Sequence, residues 1–275
     1  MLNFQLSPKQ LELQKKAREF ALKEILPVAW HYDEIDETPL QVLKKAYESG
    51  LMNGGIPKEY GGEGWGLIEA VVLTEEFAAA CPGIATSIFD NSLGMEPLQL
   101  CNNEPLKKKY FTKLLNDFKL ICFATSEPTM GSDVAGIRCQ AERDGDDYIL
   151  NGTKYWITNG GISDYMSIFA TVDPDSQHEG ICAFLVEKDW SGVSIGRKIT
   201  KLGQRGSNTV GINFKDVRVP KENVMAPPGE GFVLAMQTFS RTRPAIGAFA
   251  VGTARSAMEF ATDYAKKRRA FGSKI

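Results

Sequence analysis

Histidine is scarce in this sequence: His31 and His178 are the only two in 275 residues. That leaves too few imidazoles for a histidine-built metal centre or a catalytic triad to be expected. The five cysteines (Cys81, Cys101, Cys122, Cys139, Cys182) are odd in number, widely spaced and without a CxxC pair, which argues against a disulfide framework and against a zinc site. No apolar run approaches the ~20 residues of a membrane span. The opening MLNFQLSPKQ lacks the charged-then-apolar order of a signal peptide, so the mature chain is expected to begin here and to be cytoplasmic, or in the mitochondrial matrix of a eukaryotic source. An excess of one charge is missing as well. Lys and Arg number 32 against 34 Asp and Glu, a formal net charge of -2, so no field over the whole surface favours nucleic acid or an anionic membrane. Any anionic ligand must be met by a local patch.

What is present is a globular composition. With 43% hydrophobic residues the chain can fill one large core or two to three small ones. Periodicity divides it into three. Residues 1–120 read as an N-terminal helical domain: Ser7-Pro8-Lys9-Gln10 predicts a capping box with proline at the first helical position, Leu13, Ala17, Phe20 and Ala21 recur at helical spacing, and Pro27 is expected to end the run. Thr38-Pro39-Leu40-Gln41 repeats the device before a helix that Gly50 should stop. IPKEYGGEGWG predicts a loop, Leu67 to Ala80 a helix closed by Cys81-Pro82-Gly83, and another helix begins near Asn103.

Near Ile121 the period changes to two. Ile137, Cys139 and Ala141 alternate with polar residues, Asp144-Gly145-Asp146 is a turn, and YILNGTKYWIT predicts a hairpin around Asn151-Gly152. Further short strands without intervening helices make residues 121–228 an expected antiparallel barrel or sandwich. From residue 229 to 275 the helical period returns, with Pro244 kinking or splitting it and with Ala248 and Gly252 leaving one face small enough for close approach of another helix. The fold class is therefore multidomain α+β, ending in the start of a helical bundle.

Four segments stand out. CFATSEPTMGSD offers the hydroxyls and backbone amides of Thr125 and Ser126 at a strand end, and Gly131 beside Ser132 and Asp133. An ordinary turn rich in capping residues would look the same. In YWITNGG, Trp156 and Thr158 should project to one face, a flat aromatic beside a hydroxyl on which a planar ring could stack; a core tryptophan fits too. SRTRP (240 to 244) and KKRRAFG (266 to 272) supply guanidinium groups suited to phosphate or carboxylate, and equally suit a solvated helix face.

Taken in order, the helical block, SEPTMGSDVAG, YWITNGG, GQRGSNT with DVRVPKENV, the GEGF, AM and TRP elements and RRAFG resemble the acyl-CoA dehydrogenase family over all 275 residues. The resemblance implies a helical domain, a β-domain and a C-terminal helical bundle, FAD as cofactor, and oxidation of the α,β bond of an acyl-CoA thioester in fatty acid β-oxidation. Electrons would pass to an electron-transfer flavoprotein. It implies that Phe123, Ala124, Thr125, Ser126, Gly131 and Ser132 form the flavin-contacting strand end, with Ser132 shared with the thioester end of the substrate. By the same resemblance Trp156 and Ile157 lie against the isoalloxazine and Thr158 bonds its N5. Ser240, Arg241, Thr242 and Arg243 would lie near the CoA, and Arg268, Arg269 and Phe271 would reach the FAD of a neighbouring subunit in a homo-oligomer, a tetramer in the family.

The family's glutamate base lies beyond the last residue here, and at the alternative position a minority of relatives use stands Thr242, which is not a base at neutral pH. No catalytic residue is therefore assigned. Glu127 reads as a structural carboxylate, and Met130, where the family has alanine, is expected to narrow the acyl cavity. Two alternatives follow: a truncated or noncatalytic flavin- and acyl-CoA-binding subunit completed by a C-terminal partner chain, and an acyl-CoA oxidase-like flavoprotein.

Overall fold

A computed structural model describes residues 5–275. Its first helix, α1 (Pro8–Phe20), starts as its sequence requires: the Ser7 hydroxyl accepts from Gln10 N at 3.3 Å while Gln10 Oε1 accepts from Ser7 N at 2.9 Å. Pro27 does not end the run. A π-helical turn (Ala21–Ile25) leads directly into α2 (Leu26–Glu34), and Pro27 falls in the first turn of α2, directly after that π-helical irregularity. The second expected capping box is also absent: α3 (Leu40–Glu48) begins from Pro39 without a side-chain cap, although Gly50 at φ 65° does stop it. Helix α4 (Leu67–Ala80) has the expected bounds and α6 (Glu104–Asn116) is capped by the Asn103 side chain.

Between them runs α5 (Pro82–Leu100), where the sequence suggested only a stop. Cys81 is extended (φ -163°) and ends α4, but Pro82 then occupies the first position of a new helix. Eleven of its 19 residues are buried, so it carries no single apolar stripe for a helical period to reveal.

The β-domain is one eight-stranded sheet in the order β6–β7–β3–β2–β4–β5–β8. Its strands are β1 (Ile121–Ala124), β2 (Gln140–Asp144), β3 (Asp147–Thr158), β4 (Tyr165–Thr171), β5 (Ile181–Glu187), β6 (Val193–Lys198), β7 (Thr209–Val219) and β8 (Val224–Ala226). Most pairings are antiparallel, but β1 joins β4 in parallel along the edge whose far end, at Thr171, meets β2. The order does not return on itself, so of the architectures expected the closed barrel is not formed among the described residues. Asn151-Gly152 is not a hairpin turn either. Strand β3 passes straight through it, with a register shift against β7 between Leu150 and Gly152. Glycine is required there, because a Cβ on Gly152 would lie 2.8 Å from Cys139 Cα.

The chain closes on α7 (Gly231–Lys267), a single helix with Pro244 inside it. It packs along α4, where a Cβ on Gly252 would come within 2.2 Å of Glu75 O. This sets up a contrast in sign. Gly247 lies on the exposed side of α7 with nothing within 4 Å of an added Cβ, so Gly247→Ala should stabilise by about 1 kcal/mol from propensity alone. Gly252→Ala should instead destabilise by about 1–3 kcal/mol through overpacking. Chemical denaturation of the two variants checks this; a stabilised Gly252→Ala would mean the α4–α7 contact is looser than described.

Candidate functional site

The loop after β1 is fixed by a buried ion pair. Lys154 Nζ, fully buried, donates to Glu127 Oε1 at 2.6 Å and to Thr125 O at 2.9 Å. Glu127 also accepts backbone N–H bonds from Arg138 at 2.8 Å and Cys139 at 3.0 Å, and Ser126 O accepts from Tyr155 N at 2.9 Å. Thr125, Ser126 and Glu127 are thus tied to β3 immediately before Trp156. Glu127 is fully engaged, as its structural reading requires. Lys154 escaped the sequence reading. The signal was its register, two steps along β3 from Gly152 and on the same inward side as Tyr148 and Leu150, where a lone charge needs a buried partner.

Phe123, Ala124 and Thr125 are buried, Ser126 is half-buried, and Gly131 and Ser132 face solvent. Met130 packs into the β-domain core and lines neither of the two concavities that follow.

A second shift in the β3–β7 register, between Lys154 and Ile157, throws Trp156 into a left-handed conformation at φ 57°. For a bulky residue such a backbone costs on the order of 1–3 kcal/mol. Its result is an indole 52% exposed while Ile157 turns inward. The Tyr155 ring stands edge-on to the indole at 4.9 Å and occupies the space that a Cβ on Gly211 would take, 2.8 Å from Tyr155 Cδ2. Trp156 and Thr158 share a shallow cleft of about 450 Å³ with Thr86 of α5 and with Lys201, Gln204, Ser207 and Thr209. A flat apolar face bordered by hydroxyls suits a planar heteroaromatic ring.

The second concavity, about 360 Å³, lies between the 51–55 loop, α4, α5 and α7. Leu73, Phe77, Ile88, Phe89 and Ala245 give it apolar walls, and Arg241 and Thr242 reach it from α7. Arg241 is ion-paired with Glu96, whose carboxyl is raised above its ordinary value by burial in spite of that partner. The Thr242 hydroxyl donates to Thr238 O at 2.9 Å. Of the other two residues in that segment, Ser240 is exposed, and Arg243 stands 5.4 Å over the Phe239 ring, which meets Phe123 edge-on at 5.5 Å.

Arg268, Arg269 and Phe271 line neither concavity. They belong to a terminal hairpin of β9 (Arg269–Ala270) and β10 (Ser273–Lys274), whose turn residues Phe271 and Gly272 both have positive φ and leave the Phe271 ring fully exposed. All five cysteines are free and buried, and the described residues hold no group of three or more metal-ligating side chains. No helix among them is long and apolar enough to cross a membrane.

Comparison with known proteins agrees along the whole chain. The family models for the acyl-CoA dehydrogenase N-terminal, middle and C-terminal domains match residues 7–117, 122–217 and 229–275. A probable medium-chain specific acyl-CoA dehydrogenase 2, mitochondrial, of Caenorhabditis briggsae is 38% identical over 277 residues, covering 100% of this chain and 68% of its own length. Among solved structures, butyryl-CoA dehydrogenase from Megasphaera elsdenii superposes with a TM-score of 0.95 at 31% identity, over 99% of this chain and 73% of that one. A chain solved in work on the electron transferring flavoprotein of Acidaminococcus fermentans gives a TM-score of 0.95 at 33% identity, over 100% and 72%.

Proposed function

The chain belongs to the acyl-CoA dehydrogenase family of FAD-dependent oxidoreductases, and from that premise we propose that its residues hold FAD and an acyl-CoA thioester for α,β-dehydrogenation to the trans-2-enoyl-CoA. Electrons would leave to an electron-transfer flavoprotein. The observation that carries the reading is the outturned indole of Trp156 beside Thr158, held in a strained backbone and 52% exposed. The isoalloxazine of FAD is a planar ring that such a face fits. When bound, FAD supplies the acceptor for the β-hydride.

The remaining roles fall to the chain. Trp156 supplies the stacking face and Thr158 a hydroxyl for a ring nitrogen. Thr125 and Ser126, pinned through Lys154 and Tyr155, present polar groups at the strand end. The cavity of Leu73, Phe77 and Phe89 takes the acyl tail and excludes water, which strengthens any hydrogen bond to the thioester oxygen as enolate charge develops. Ser240, Arg241, Thr242 and Arg243 face the CoA, and Arg268, Arg269 and Phe271 reach a second subunit's cofactor.

The α-proton needs a positioned base, and we assign none among these residues. Thr242 is bonded within its helix, Glu127 is engaged by Lys154, and Glu96 is held against Arg241. The base is proposed to come from outside the 275 residues.

FAD titrated into the purified chain should be retained and its visible band shifted. Trp156→Ala should weaken retention by roughly 5- to 150-fold, the equivalent of ~1–3 kcal/mol of ring stacking. Anaerobic butyryl-CoA should leave the bound colour intact. An alanine variant that holds FAD as tightly as the parent would remove the stacking face from the account, and bleaching by butyryl-CoA would show a base that we have not identified.

A further inference from the structure

We infer that Lys201 is the cation that sets the reduction potential of the ring bound in the Trp156 cleft, a role that rests on the FAD reading above. Of the eight residues lining that cleft, Thr86, Trp156, Thr158, Gly203, Gln204, Ser207 and Thr209 are uncharged, and Lys201 alone carries charge. Its ammonium donates to Ser207 O at 2.6 Å and makes no ion pair among the described residues. The acids nearby are committed elsewhere: Asp36 binds Lys198, with Nζ to Oδ1 at 2.9 Å, and Asp33 Oδ1 accepts Arg205 N at 3.0 Å. Burial, and then the like charge of Lys198, lower the Lys201 ammonium below its usual value, so it sits where a positive charge is disfavoured until something negative arrives.

Hydride acceptance adds an electron pair to the ring and leaves negative charge on it once the proton balance at neutral pH is struck. A half-buried cation in the same cleft therefore binds the reduced ring better than the oxidised one. Charge near the ring is one of the few means by which a protein tunes this cofactor. A tenfold preference for the reduced form corresponds to about 30 mV for a two-electron couple. A merely structural Lys201, tying the 201–207 loop through Ser207 O, would weaken both redox forms alike and leave the potential unmoved.

The variants that separate these are Lys201→Gln, which keeps a hydrogen-bond donor and loses the charge, Lys201→Arg, which keeps the charge, and Lys201→Met, which loses both. The bound FAD is titrated against a reference dye by absorbance, with no acyl-CoA present. Lys201→Gln and Lys201→Met should both move the potential at least ~30 mV more negative, with Lys201→Arg near the parent. Lys201→Gln at the parent's potential overturns the inference while leaving the cofactor site standing. A parent chain that takes up no FAD at all overturns the cofactor reading, and this role with it.

Discussion

Lys154→Met should destabilise the protein by about 3–5 kcal/mol, the range seen when one partner of a buried ion pair is removed, and should loosen the loop that faces the ring. Methionine fills nearly the same space, so the loss is electrostatic rather than a cavity. Glu127 would keep its two backbone donors, at Arg138 and Cys139, but its charge would stand uncompensated at 3% exposure, and Thr125 O would lose the donor that Lys154 supplies. Glu127→Gln in the same background removes that charge and should restore part of the loss. The double-mutant cycle then reads the coupling directly. FAD retention should fall together with stability, because the same ammonium holds Thr125 and, through Glu127, the backbone of Arg138 and Cys139 that leads into β2. A Lys154→Met protein with unchanged denaturation midpoint, or a double variant no better than the single one, would mean that the pair is not the fastening it is described as.

How legible this was in the sequence depended on what each residue faces. Helix α4 could be bounded to the residue because glycine precedes it and Cys81 breaks it. Helix α5 could not, because it is covered by the other helices on one side and by β1 on the other. A Cβ on Gly94 would sit 2.4 Å from Ile121 O, and a helix enclosed in this way has no periodic polar face. Asn151-Gly152 carries the composition of a hairpin turn, yet close contact with Cys139 explains the glycine better than a reversal does. Trp156 and Thr158 were legible as a pair, since residues two apart on a strand share a side, and both line the same cleft. Their cleft was not, because Thr86, Lys201 and Gln204 come from elsewhere along the chain, and no local pattern marks a residue for a contact made only in the fold.

Asp90→Asn should change how stability depends on pH, and the sign follows from burial. Asp90 sits on the α5 face formed with Ser87, Asn91 and Gly94, at 3% exposure, and its Oδ2 has no hydrogen-bond partner among the described residues. Its neighbour Asn91 is satisfied, with Oδ1 accepting Ile121 N at 2.7 Å. Burial pushes the Asp90 carboxyl well above the carboxylate range, and the Cys122 thiol beside it is likewise driven up by burial. The folded protein thus keeps a proton that the unfolded chain releases near pH 3.9. The native state binds more protons, so the stability this group allows is complete below about pH 4 and is lost as pH rises towards the folded value, at about 1.4 kcal/mol per pH unit. Asparagine has no proton to lose. Measured by urea denaturation from about pH 4 to pH 7, the difference between Asp90→Asn and the parent should therefore move in the variant's favour as pH rises, by at most about 1.4 kcal/mol per pH unit and only while the pH lies below the folded value. A difference that stays flat over that range would show Asp90 ionised in the folded protein, and would require a cation or a set of donors at Oδ2 that the α5–β1 contact does not provide.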